Sequence, residues 1–367
     1  MLVSVIIPSY NHARYVKQAI RSVIEQSYSD VELIIIDDGS SDGSEELIRE
    51  SISENCGRHI VFEAQRNAGA HQAIMRGLSL AKGNLLTILN SDDFYELNRL
   101  ERMLHNFSPV ENYIAFSRVR LVDDRSCPLS NNAPLQLWYD QALRDAARCP
   151  TVGYALLRNN ISVTSGNLLF TRALYDRVGG FRHFKMCHDW DFLMRATHYV
   201  EPIYIQEPLM AYRYHETNTL RSTAHLVEQE GAAALNDFVK LGLSETAPNH
   251  LAPGWAHWPA YFDLFIDRFA CWFSKEPMGR FIQGRPVQKQ VRGRAIWVDN
   301  ARLGLADTDF LTSSGAGNEA YALLREMLLG QSEQPVVSAE LTPAPKTLGA
   351  SLKRILGRGN VGPISKT

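Results

Sequence analysis

The 367-residue sequence lacks the short motifs that mark most nucleotide and nucleophile sites. It has no GxxxxGK[ST] phosphate loop and no GxSxG elbow. Its first strand–helix turn reads PSYNHA, where a dinucleotide-binding domain needs GxGxxG. Gly315–Ala320 (GAGNEA) fits GxGxxA but follows no convincing strand, so it reads as chance. Cysteine is scarce: Cys56, Cys127, Cys149, Cys187 and Cys271 are odd in number and form no CxxC pair. That excludes a disulfide framework and a zinc site and favours a reducing compartment. His183, Cys187 and His188 lack the further ligands that a transition-metal site needs. A preponderance of one charge is also lacking, since the formal net charge of −2 gives no footprint for nucleic acid. No apolar run approaches a transmembrane length. A strand begins almost at the first residue, leaving no room for a signal peptide, so the expectation is a cytoplasmic protein.

What is present centres on Leu85–Asp93 (LLTILNSDD). A short apolar run, read as a strand buried on both faces, ends in polar and acidic residues. Ligands of open α/β sheets bind at the carboxyl ends of the strands. Asn90, Ser91, Asp92 and Asp93 supply hard oxygen donors there, suited to Mg²⁺ or Mn²⁺ carrying a phosphate. Ser91 and Asp92 would equally cap a following helix. Val3–Pro8 and Val31–Ile36 are further buried-strand candidates, running into Ser9–Asn11 and Asp37–Ser40, and Ile60–Ala64 is a weaker one. Apolar spacing predicts helices over 13–26, 44–53 and 69–81, the last closed by Lys82 and Gly83. The SDGSEE run supplies cap and first-turn carboxylates to the second. This alternation means a mostly parallel, Rossmann-like α/β sheet with right-handed crossovers. Three polar clusters (Ser9–Asn11, Asp37–Asp38, Asn90–Asp93) then share one edge of it.

The stretches SVIIPSYNHARYVKQAIRSVIEQSY, VELIIIDDGSSDGS and NAGAHQAIMRGLSLAKGNLLTILNSDDF, in that order and spacing, resemble the family 2 glycosyltransferases. The resemblance is dense over Val3–Leu104 and looser to about Thr223. It implies the GT-A fold, a nucleotide-diphosphate sugar donor and a divalent metal, Mn²⁺ or Mg²⁺. By position it implies that Pro8, Tyr10 and Asp38 line base and ribose, with Asn67 and Gly69 near the nucleotide. Asp92 falls on the metal-ligating acid of the family's D-x-D element, with Asp93 as support. The element's first acid is here Asn90, whose amide can still accept from a ribose hydroxyl. Thr164–Phe181 resembles the stretch before the family's Gly-Gly-Phe loop and brings Gly166 and Asn167 near the sugar, glycine permitting close backbone approach. Cys187–Arg195 (CHDWDFLMR) resembles the helix whose second acid takes the acceptor hydroxyl's proton. That acid is Asp189, with His188 replacing the usual Glu. An N-cap role would also explain Asp189, and Asp191 points to another face. Tyr212–His215 (YRYH) resembles the element that closes the site. It makes His215 a metal or diphosphate candidate and Arg213 a phosphate partner, against the plainer reading of a structural histidine on a strand.

Between these motifs, Tyr113–Val122 reads as a strand, Arg125–Asn132 as a loop and Trp138–Arg148 as a short helix. The expected division is a catalytic domain over 1–223, a helical region over 224–330, and a flexible linker with a basic tail over 331–367. Helices are expected at Ala224–Leu243 and Ala256–Lys275. Leu348, Leu352, Ile355 and Leu356 fall at helical spacing with Lys353, Arg354 and Arg358 beside that face, so the segment Leu348–Arg358 offers peripheral membrane contact at the inner face. The function expected is metal-dependent, inverting transfer of a hexose-like sugar to a glycan or lipid-linked acceptor in surface polysaccharide biosynthesis. Two alternatives compete. One is an inactive nucleotide-sugar-binding module, left open by Asn90 and His188. The other is a sugar-phosphate nucleotidyltransferase, which should carry a Gly/Arg-rich loop where PSYNHARY stands.

Overall fold

The computed structural model describes residues 1–105, 107, 111–244, 246–254, 256–258 and 262. Its strands are β1 (Val3–Ser9), β2 (Val31–Asp37), β3 (Ile60–Ala64), β4 (Leu85–Ile88), β5 (Phe94–Tyr95), β6 (Ile114–Val122), β7 (Leu169–Thr171) and β8 (Ile203–Arg213). They form one sheet in the order β3-β2-β1-β4-β7-β6-β8-β5. The described helices are α1 (Val16–Ile24), α2 (Ser44–Glu54), α3 (Ala70–Leu80), α4 (Arg99–Leu104), α5 (Pro134–Ala146), α6 (Val152–Arg158), α7 (Arg172–Val178), α8 (His188–Thr197) and α9 (Thr219–Ser244).

The unbroken apolar runs of the first strands follow from a sheet covered on both faces. Successive side chains alternate between two cores. Ile6, Ile34, Ile36, Leu86 and Ile88 enter one with α3 and α8, while Val5, Ile7, Leu33, Ile35 and Leu85 enter the other with α1. Each such burial contributes roughly 1.5–3 kcal/mol, so a polar residue at any of these positions would be felt. Helix α3 docks so closely that a Cβ on Gly77 would lie 2.3 Å from Ile6 Cγ2.

β1 pairs in parallel with β2 and β4, and Val3 aligns with both Val31 and Leu85. Level starts give level carboxyl ends, so the three polar clusters do share one edge. The rest of the sheet is mixed: β7 runs antiparallel to β4 and β6, and β5 antiparallel to β8. β7 runs backwards because its chain arrives at the site edge, through a 3₁₀ turn at Ser165–Asn167, before entering the sheet. Helix α5 starts a turn earlier than its periodicity suggests, with Pro134 in its first turn. Short α6 (VGYALLR) is buried over Gly153–Leu157 and is started by the Thr151 hydroxyl, which accepts from the Tyr154 amide. The expected helix Ala256–Lys275, apart from a few described residues, and the linker and tail over 331–367 lie outside the described residues. No described helix is long and apolar enough to cross a membrane.

Candidate active site

The turn after β1 is latched to the turn after β2. Asn11, in the left-handed region at φ +54°, donates its amide to Ser40 Oγ (2.9 Å) and accepts from the Ser41 amide (2.8 Å). The His12 amide donates to Ser44 Oγ (3.0 Å) and the Ala13 amide to Asp42 Oδ2 (2.9 Å). The SDGS run, expected as a helix cap, thus also fixes a neighbouring loop. The cap position itself is Gly43, which bonds nothing through a side chain.

This latch holds His12 over the end of β4. Its Nδ1 lies 2.8 Å from Ser91 Oγ, and its Nε2 lies 3.8 Å from Asp92 Oδ2. His215, just past β8, approaches the same oxygen: Nε2 is 3.0 Å from Asp92 Oδ2, and Nδ1 is 3.0 Å from Thr217 Oγ1. In both rings one nitrogen is occupied by a hydroxyl and the other faces the carboxylate. His12, Asp92 and His215 are the only group among the described residues whose metal-type ligand atoms all lie within 4.8 Å of one another. Burial works against the Asp92 carboxylate, but the neighbouring His12 and the His215 hydrogen bond outweigh it and hold the group below its usual range. No local pattern in the sequence marks His12: its role comes from the latch to Ser44 and from the approach of His215 to the same carboxylate.

Asp93 stands apart from this group. Its Oδ1 accepts from the Arg213 amide (2.9 Å) and its Oδ2 from Asn90 Nδ2 (3.1 Å). Burial and the Asp92 charge push its carboxyl well above the usual range. Asn90 also donates to Thr164 Oγ1 (2.8 Å). Arg213 is 1% exposed, and its guanidinium donates to Asp92 O (2.7 Å), Asp123 O (3.2 Å), Ser126 Oγ (3.0 Å) and Gln18 Oε1 (2.7 Å). That geometry ties loops together and does not present the cation to a ligand.

On the nucleotide side, the buried Asp38 carboxylate accepts from Gln65 Nε2 (2.7 Å), the Ala68 amide (2.9 Å) and the Gly69 amide (2.8 Å). It therefore shapes the loop carrying exposed Asn67 and Gly69, the latter at φ +92°, where only glycine is unstrained. Pro8 is buried within β1, and Tyr10 stands 47% exposed at its end. Gly166 packs tightly, since an added Cβ would lie 2.8 Å from Met210 Cε. Asn167 is fully buried and spends its amide on Ser117, Ser162 and Arg99.

Asp189 lies in the first turn of α8, whose cap position is Cys187. It is 4% exposed and accepts from the Trp190 amide (2.7 Å) and Asn160 Nδ2 (3.3 Å). Burial pushes its carboxyl up, with His188 offsetting part of the shift. The contacts of Asn160 with Asp189 and of Thr164 with Asn90 come from one short segment, spanning at most about 14 Å of backbone. Val163 within it holds φ +71°, which a β-branched residue avoids. Asp191 is bound by Arg182 and Arg195, Arg195 donating on to the carbonyls of Val178 and Gly180. Helix α9 completes the support. Glu230 accepts the amides of Lys185 (3.0 Å), Met186 (2.7 Å) and Cys187 (3.1 Å), immediately before α8.

A parallel half-sheet with polar strand ends, continued by a mixed half that carries a buried acid, is the GT-A glycosyltransferase architecture. Residues 4–166 match the family model described as glycosyl transferase family 2. An uncharacterized glycosyltransferase of Rickettsia typhi is 29% identical over 231 residues, covering 62% of this chain and 69% of that protein. The putative teichuronic acid biosynthesis glycosyltransferase TuaG of Bacillus subtilis is 35% identical over 148 residues, 39% of this chain and 58% of TuaG. The mannosyltransferase PcManGT of Pyrobaculum calidifontis, solved with GDP-Man and Mn²⁺, superposes with a TM-score of 0.50 at 16% identity. That likeness covers 90% of this chain and 87% of PcManGT, and it is one of fold.

Proposed function

We propose that the protein is a divalent-metal-dependent, inverting glycosyltransferase. It would move a sugar from a nucleoside-diphosphate sugar to a glycan or lipid-linked acceptor in surface polysaccharide biosynthesis. The observation that carries this reading is the convergence of His12, Asp92 and His215 at the sheet edge, with the buried acid Asp189 one short segment away. TuaG and the GDP-Man complex of PcManGT support the donor class and the pathway class by analogy.

The three residues fit a divalent cation. The hydroxyls of Ser91 and Thr217 fix both rings with Nε2 towards Asp92, the outer-shell arrangement typical of ligating histidines. A cation bound there would balance the charge developing on the leaving diphosphate. Two imidazoles favour a first-row transition-metal ion over Mg²⁺. Asp93 and Asn90 hold the 90–93 turn, and Asp38 holds the loop that would border the nucleotide. Asp189 takes the acceptor hydroxyl's proton as the oxygen bonds the anomeric carbon on the face opposite the diphosphate. The carbon–oxygen bond to phosphate breaks, and its electron pair leaves with the diphosphate. Its raised pKa makes Asp189 a stronger base than an exposed aspartate.

The test is a panel of nucleoside-diphosphate sugars scored by thermal stabilisation with and without Mn²⁺, then by released nucleoside diphosphate. At least one donor should stabilise the protein only with metal present. Stabilisation by none, or equally without metal, would refute the reading.

A further inference from the structure

Three histidines that the proposed reaction does not use stand together, one of them, His188, directly preceding Asp189 in α8. His71 lies in the first turn of α3, His188 opens α8, and His183 sits between α7 and α8. The His71 ring meets His183 and His188 edge-on, at 4.9 and 6.4 Å between centroids. Phe181 packs on the group, with its ring 5.8 Å from His188 and its carbonyl 3.4 Å from His71 Nε2. His183 is exposed, so the cluster opens to solvent. Its inner nitrogens have no partner: His71 Nδ1 and both His188 ring nitrogens are buried without a hydrogen bond. Among the described residues, His188 alone has two such atoms. Buried polar groups are ordinarily satisfied, so unpartnered nitrogens on two adjacent rings mark a place shaped for something polar.

The chemistry of that something follows from what surrounds it. A metal ion is disfavoured, because the cluster offers no three ligand atoms within 4.8 Å of one another. Among the described residues no carboxylate pairs with any of the three rings; the ion-paired histidines are His12, His59 and His215. Asp189, whose charge is felt by His188, accepts from Asn160 and Trp190 and from none of the three rings. The rings gather where α3 and α8 begin, at the positive ends of both helices. Burial and the neighbouring His188 and His183 push His71 towards its neutral form, as crowded cationic groups do when no anion lies between them. We propose that His71, His183 and His188 form a binding site for an anionic group of the acceptor, a phosphate or a carboxylate, seated next to Asp189. The acceptor assignment rests on Asp189 as the base, whereas anion binding itself does not. Imidazole N–H donors hold the anion, which orients the neighbouring hydroxyl towards Asp189.

The test uses the full chain, stripped of metal and labelled with ¹⁵N-histidine, with ring resonances followed during titration with inorganic phosphate, with glucuronate and with Zn²⁺. Phosphate or glucuronate should shift His71, His183 and His188 saturably, and the tighter of the two identifies the anion class. His188→Leu should weaken that binding by about tenfold or more, as loss of a charge-assisted bond does. His183→Ala, at an exposed position, should weaken it as well. The proposal is overturned if neither anion shifts these rings, if only His12 and His215 respond, or if only Zn²⁺ saturates them. Mn²⁺ should broaden His12 and His215 and spare the cluster. Failure of the metal-dependent reading and failure of this proposal therefore appear in different resonances.

Discussion

The two flanks of the site are held by different means. On the β1–β4 flank, functional side chains hang from level strand ends, and short polar turns bond to one another across the edge: Asn11 to Ser40, Ala13 to Asp42, Asp38 to Gly69. On the flank carrying Asp189, position depends on charged side chains reaching across the molecule. Arg182 joins Asp191 to Asp237, and Glu230 gathers three amides before α8. The first arrangement follows from topology, because parallel strands in register deliver their ends together whatever else changes. The second must be assembled residue by residue, so single substitutions should loosen it by degrees.

The largest expected effect falls on the first flank. Asp92→Ala removes the carboxylate that both histidines face, and turnover with Mn²⁺ should fall below detection in a folded protein. Normal turnover by that variant would break the assignment. Asp189→Asn comes next: the amide is nearly isosteric but cannot take a proton, so kcat should fall on the order of 10²–10⁴-fold with donor KM little changed. An equal loss in Asp191→Asn with little in Asp189→Asn would mean the wrong acid had been chosen. Because burial raises the Asp189 carboxyl, the acid limb of kcat should lie above the ordinary aspartate range.

Glu230→Ala sharpens the contrast. It frees the three amides before α8 and should lower kcat by about tenfold through misorientation, with donor KM unchanged and recovery in Glu230→Gln. A proportional change in KM would instead place the loop on the donor side. The smallest effect concerns stability alone. Burial pushes the Glu201 carboxyl up to about 7, although it accepts from the Val152 amide (2.7 Å) at the start of α6. A raised carboxyl favours the folded state while it is protonated, and that contribution is lost as pH rises through about 7. Glu201→Gln should therefore raise the Tm near about pH 8, with the gain closing towards about pH 5. A Tm difference that does not change with pH would contradict this.

The same contrast explains what the sequence revealed. Val3–Ser9, Val31–Asp37 and Leu85–Ile88 were legible because burial on both faces demands apolar runs, and the polar clusters at their ends break those runs. Asp38, Asp92 and Asp189 were reachable by position. His12 was not, because its role depends on a latch to Ser44 and on a histidine 203 residues away, neither of which leaves a local pattern. Arg213 was expected as a phosphate partner, and Asn167 near the sugar. Their side chains instead answer buried backbone needs that spacing does not encode. Helix α9 showed helical periodicity, but its support of α8 through Glu230 is a tertiary fact.

The most direct test measures thermal stabilisation by a nucleoside diphosphate, with and without Mn²⁺, in the wild type, Asp92→Ala and Asp189→Asn. The account predicts metal-dependent stabilisation of the wild type and of Asp189→Asn, and none in Asp92→Ala. Metal-dependent stabilisation of Asp92→Ala equal to wild type would contradict it.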